Sequence, residues 1–290
     1  MTRILVTGMN SPLGQAVGKK LQTEGYSVVG TVRSSKIGIQ GLPANEIVAL
    51  DLENEYTFTN IMGSFDSFVH IASKNEGSAE DLLKIRGIGM IYLINRAKQL
   101  NIRRLIHISS MSIHGKVLTE VVDENTSVTH SLPVGAATWA AECVISNEKS
   151  SIEAVSLRSP ALAGRYASRH FLAKILIGMV RGTGKISLSN PDHLFNNIVH
   201  ENVVAEFVST LLDRDLGSRY RAVPIGSTDP IPLREIIDVM SKATNYKGKI
   251  SWVEPKTPPF RIDSTGAIEL GYKPITTLET INRWMHDAQL

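Results

Sequence analysis

The chain has 290 residues, 42% of them hydrophobic and 20% charged, an ordinary globular composition that fits one large α/β domain plus a smaller lobe. Its 31 Lys and Arg against 28 Asp and Glu give a net charge of +3, too small for a nucleic-acid binder. The single cysteine, Cys143, excludes an internal disulfide and any multi-cysteine metal site. The opening residues, MTRILVTG, run into a strand pattern without a leader's apolar core, and the most apolar later stretch, Phe171 to Val180, is short and carries Lys174. No membrane span is expected, and a cytoplasmic location is the default.

The first half alternates short β-branched runs with longer amphipathic stretches. Arg3–Thr7 reads as a strand, Leu13–Glu24 as a helix, and Tyr26–Val32, Glu46–Leu50 and Phe65–Ile71 as further strands. Asp81–Leu100 is a long helix with Leu82, Ile85, Ile88 and Tyr92 at helical spacing. Arg104–Ile108 is a fifth strand, Trp139–Glu148 a helix and Ala154–Leu157 a sixth strand. This alternation predicts an α/β fold, a doubly wound parallel sheet with helices on both faces. After Pro160 the rhythm breaks. One apolar helix, a Gly-rich bend at residues 181–184 and a polar loop precede a helix over Glu201–Leu212, a strand over Tyr220–Ile225 and a helix over Pro232–Thr244. Ser251 to Arg261 is Pro-rich and irregular, and a last helix begins near Thr277.

The first strand ends in Gly8-Met9-Asn10-Ser11-Pro12-Leu13-Gly14, and a helix follows. Glycines in a strand–turn–helix let the backbone approach a pyrophosphate at the helix N-terminus, so this turn predicts dinucleotide binding. Ser11 stands where the fingerprint has its middle glycine, and its hydroxyl can bond a phosphate oxygen. NAD-preferring sites place an acid at the end of the second strand. Thr31 holds that place here and Arg33 follows, which predicts NADP in preference to NAD, because a guanidinium pairs with a 2′-phosphate that a carboxylate would repel.

These residues resemble the extended short-chain dehydrogenase/reductase superfamily of NAD(P)-dependent epimerases, dehydratases and nucleotide-sugar reductases. Asp51-Leu52 looks like its adenine-contacting pair. Phe68 to Ser73, with Ile71, Ala72 and Ser73, resembles the fourth-strand motif whose backbone lines the cofactor. Leu105 to Gly115, Asn197 to Val203 and Ile262 to Pro274 resemble the fifth-strand, re-entry and C-terminal segments. The resemblance implies a dinucleotide-binding Rossmann domain over residues 1–160, to which 198–225 return. It also implies a smaller C-terminal substrate lobe from 161–197 and 226–290, a small-molecule substrate such as a nucleotide sugar, and a homodimer.

In that family the chemistry rests on Ser, Tyr and Lys, the lysine lowering the pKa of a phenol that ordinarily titrates near about 10. Ser110 matches the serine. Aligned on Pro133, Gly135 and Glu142, Val134 falls at the tyrosine and Thr138 at the lysine. No shift of register rescues the pair, because no tyrosine occurs between Tyr92 and Tyr166 and no lysine between Lys116 and Lys149. Arg86 takes the place of a common asparagine, and Ala161 and Ala163 replace polar side chains after the sixth strand. Ser110 and His130 remain as candidate proton-handling residues, whereas His114 reads as packing and Asp123-Glu124 as a solvated turn. The function expected is that of an NADP(H)-binding relative of nucleotide-sugar enzymes with an atypical active site. The alternative is a non-catalytic NAD(P)-sensing regulator or partner subunit.

Overall fold

The computed structural model describes residues 2–34, 40–129, 132–167, 170–182, 185–254 and 258–289. Seven parallel strands form one sheet: β1 (Arg3–Thr7), β2 (Ser27–Val32), β3 (Glu46–Ala49), β4 (Ser67–His70), β5 (Arg104–Ser110), β6 (Glu153–Ser159) and β7 (Tyr220–Pro224). They lie in the order β7-β6-β5-β4-β1-β2-β3. The order reverses between β1 and β4, and in such sheets ligands bind beyond the carboxyl ends of the strands at that point.

Helix α1 (Pro12–Thr23) packs beside α6 (Glu201–Asp213) on one face, burying Leu13, Val17, Leu21, Val204, Phe207 and Val208 around Ile4 and Val6. On the other face, α3 (Gly89–Gln99) and α4 (Pro133–Ser146) cover Leu5, Phe68 and Leu105 with Met90, Leu93 and Ile145. Burying both faces explains why these strands are near-continuous apolar runs rather than alternating ones. A separate core forms under α5 (Phe171–Val180), α7 (Leu233–Ala243) and α8 (Thr277–Asp287), centred on Ile198, Ile236 and Trp284.

The helix expected over residues 81–100 starts at Ala79, capped by Ser78, and is not uniform. After α2 (Ala79–Leu83), the turn Lys84–Ile88 is a π-helix before α3 resumes the α-helical repeat. Helix α4 begins at Pro133, six residues earlier than Trp139. Proline at the first helical position is pre-organised for a helix start, and its missing N–H is not needed there. Short strands at Ile186–Leu188 and Ile250–Trp252 pair with each other where the sequence pattern is irregular, because tertiary pairing supplies order that local periodicity does not. No helix among the described residues is long and apolar enough to cross a membrane.

Candidate active site

The turn after β1 is built as its glycines require. Gly8 has φ +73°, and a Cβ there would stand 2.9 Å from the Ala72 backbone. A Cβ on Gly14 would stand 2.2 Å from the Gly8 carbonyl. Thr7 fixes this close approach. Its hydroxyl oxygen accepts from the N–H groups of Ile71 (3.0 Å) and Ala72 (3.1 Å), tying β1 to the end of β4. Its proton then goes to His70 Nδ1, 2.8 Å away.

Ser11 is the N-cap of α1. Its Oγ accepts from Gly14 N at 3.0 Å and donates to the Gly8 carbonyl at 2.7 Å. The hydroxyl therefore closes the turn on itself and is not a spare donor for phosphate, contrary to the sequence expectation. Asn10 is exposed, Ser11 and Pro12 are half-buried, and the Leu13 side chain is core. Met9 was missed as a determinant. It is fully buried and fills the space that Gly18 and Gly30 leave, Cβ atoms on either glycine lying within 3.0 Å of it. Those two glycines were the available signal.

Arg33 is not the free cation expected from its position. Its Nη2 bonds Glu53 Oε2 at 2.5 Å, and its Nε lies 3.5 Å from Asp51 Oδ1, although the side chain remains 59% exposed. Thr31 is fully buried, so it does not face the open edge. Leu52 and Ile71 are core side chains that leave only their backbone to face the cleft, whereas Asp51 and Ala72 are half-buried and Ser73 is exposed.

Ser110 ends β5, half-buried, and its Oγ accepts from Ser112 N at 3.1 Å, leaving its proton to donate. His130 lies outside the described residues. Val134 is half-buried. Thr138 is fully buried, donates to the Val134 carbonyl at 2.7 Å and accepts from Arg86 Nη1 at 3.0 Å. A buried guanidinium thus stands against the residue aligned with the lysine. His114 is 1% exposed with Nδ1 3.2 Å from the Ser127 carbonyl, and burial holds its pKa low, as fits packing.

Asp123 and Glu124 are half-buried, and Glu124 is engaged as well as partly solvated. It pairs with Arg221 at 2.9 Å, and its carbonyl faces Arg158. Arg158 also pairs with buried Glu142 at 2.9 Å, and Ser109 donates to the same carboxylate at 2.5 Å. Beneath the site one register row is polar. Thr7 pairs with His70, His70 with His107 and His107 with Ser156 across β1, β4, β5 and β6.

A family model described as the NAD dependent epimerase/dehydratase family matches residues 4–215. Among known proteins, GDP-L-fucose synthase 1 of Arabidopsis thaliana is 20% identical over 95% of this chain and 89% of its own. Among solved structures, the UDP-Glc/GlcNAc 4-epimerase of Campylobacter jejuni superposes with a TM-score of 0.85 at 18% identity, covering 100% of this chain and 99% of the other. WbmG of Bordetella bronchiseptica, solved with NAD and UDP, gives 0.84 at 15% identity over 99% and 94%. At such identities the likeness to these structures is one of fold.

Proposed function

The chain belongs to the NAD dependent epimerase/dehydratase family, and from that premise we propose that it binds NAD(P)(H) and a nucleotide-linked sugar in a cleft without the family's Tyr–Lys pair. The observation that carries this reading is the turn at Gly8 and Gly14, where neither position has room for a Cβ. Asn10, Ser11, Pro12 and Leu13 complete the turn, and the first-turn N–H groups of α1 favour an anion there. Arg33, Asp51 and the Leu52 backbone hold the adenosine end, and the backbone of Ile71, Ala72 and Ser73 lines the opposite wall. The bound dinucleotide supplies a hydride acceptor or donor.

The finer choice is NADP(H). Arg33 is exposed enough to exchange Glu53 for a 2′-phosphate, a charge-assisted pair of the stronger kind. Ser110 presents a hydroxyl proton to the substrate's oxygen. Residues 161–197 and 226–290 form the lobe that closes over the substrate, and the protein acts as a homodimer. The test is titration of the pure protein with NADPH and NADH, followed by incubation with UDP- and GDP-sugars and chromatography of the products. Failure of both dinucleotides to bind would overturn the reading.

A further inference from the structure

Arg86 is 6% exposed, and none of its hydrogen bonds goes to a charged group. Nε donates to the Lys74 carbonyl at 2.9 Å, Nη1 to Thr138 Oγ1 at 3.0 Å and Nη2 to Asn75 Oδ1. Among the described residues no carboxylate pairs with it. Other cations of the fold differ. Arg158 has Glu142, Lys74 has Asp81, and Arg33 has Glu53 and Asp51. A buried charge without a counter-ion costs far more than a paired one, so its retention calls for an anion. The charge is felt in the interior, because it helps lower the pKa values of both His70 and His107.

Lys74 and Asn75 follow the carboxyl end of β4, where open α/β sheets bind ligands. The guanidinium bonds both fully buried Thr138 and exposed Asn75, so it reaches from the interior to that segment. The π turn Lys84–Ile88 carries it there, and such turns often mark functional sites. Thr138 has spent its proton on the Val134 carbonyl and can only accept, which locks the fork. A guanidinium has five N–H groups. Two remain after these bonds.

We propose that Arg86 is an anion-recognising residue of the cleft, whose remaining donors take a carboxylate or phosphate oxygen of the bound ligand. The cleft's assignment rests on the function proposed above; the unpaired charge does not. The anion comes either from the sugar or from the dinucleotide, and titration separates the two. The parent, Arg86→Gln and Arg86→Lys are titrated with UDP-glucuronic acid, UDP-glucose and NADH. If the sugar supplies the anion, the parent prefers the acidic sugar by about tenfold, Arg86→Gln abolishes the preference and Arg86→Lys keeps part of it. If the dinucleotide supplies it, Arg86→Gln weakens NADH by about tenfold and leaves the sugars unchanged.

Circular dichroism establishes that each variant is folded. If Arg86→Gln does not fold, Arg86→Lys decides, since it keeps the charge and loses the fork. Less than a twofold change in every titration, in folded protein, overturns the proposal. If the parent binds no dinucleotide, its stabilisation against heat by inorganic phosphate over chloride at equal ionic strength still tests Arg86. A smaller stabilisation in the variants than in the parent upholds the anion site, since the α1 turn is common to all three, and an equal stabilisation, or none in the parent, refutes it.

Discussion

His70 and His107 stack across neighbouring strands with ring centroids 5.7 Å apart, in one register row, and both are buried. Burial first, and then Arg86, lowers the His70 pKa to about 4, and burial, His70 and Arg86 lower that of His107 well below its ordinary value. Two imidazoles this close and this dry are held neutral. Thr7 fixes the first tautomer from one side, and Ser156 Oγ, 3.1 Å from His107 Nδ1, meets the second from the other.

This pair makes stability depend on pH. The unfolded chain protonates these rings near 6.5, the folded chain only near 4 for His70. Between those values the unfolded state binds more protons, so stability is full above about pH 6.5 and falls as the pH drops toward 4. For His70 alone the loss is about 3 kcal/mol. Denaturant melts at about pH 7.5 and about pH 5 should capture about 2 kcal/mol of it. His107→Gln should flatten the slope, and an unchanged slope would show that other groups carry it.

Much of this was legible in the sequence, and the remainder divides by physical cause. β1, β2, β5 and α1 follow from apolar runs and from the short glycine turn, Gly8 to Gly14, that joins β1 to α1. The π turn Lys84–Ile88 has no residue signature in the sequence, and its contacts with α4 are long-range. The contact of Arg86 with Thr138 joins positions 52 apart, and Arg33 meets Glu53 across 20, so neither shows in any window of the chain. The polar row appears only once strand register is known.

Glu142 and Arg158 form an ion pair with side chains 1% and 6% exposed. Removing one partner leaves a buried charge, so Glu142→Ala should cost about 3–5 kcal/mol in urea unfolding. Glu142→Gln should cost less, because it still accepts from Ser109 and Arg158. Equal losses for the two variants would show that volume, not charge, matters here.

Cofactor choice should turn on two residues. Arg33→Ala should erase the preference for NADPH over NADH. Glu53→Gln should increase it by up to about tenfold, because the guanidinium no longer exchanges a carboxylate for the 2′-phosphate. A preference for NADH in the parent, measured by calorimetry, would mean that Asp51 and Glu53 outweigh Arg33.

Leu83, Ile88 and Ile91 are 47%, 37% and 43% exposed on the helical run from Ala79 to Gln99, while Ile94 is core and Tyr92 packs edge-on against Phe58. An outward apolar strip of this kind fits a two-fold interface. Light scattering at micromolar concentration should report a dimer, and Ile88→Lys with Ile91→Lys a monomer. A monomeric parent would end the dimer proposal.

Catalysis is where Val134 and Thr138 matter most. No phenol or lysine stands on α4 to move a proton, and Thr138 is closed in by Arg86 and the Val134 carbonyl. General acid–base catalysis is worth about 10²–10⁴-fold, so turnover of ordinary nucleotide-sugar substrates should be low by about that factor. Restoring the pair as Val134→Tyr with Thr138→Lys should fail by itself, because the new ammonium would meet the Arg86 guanidinium in a buried space. Adding Arg86→Asn removes that repulsion and, with ligand raised to saturation to offset the weaker binding expected of that change, should raise turnover above either the parent or the double variant, read as product formed per bound cofactor. A double variant as active as the triple would show that the two cations coexist there. Turnover above about 1 s⁻¹ in the parent, within the ordinary enzyme range, would place proton transfer on another group, with Ser110→Ala and His130→Ala as the variants to identify it.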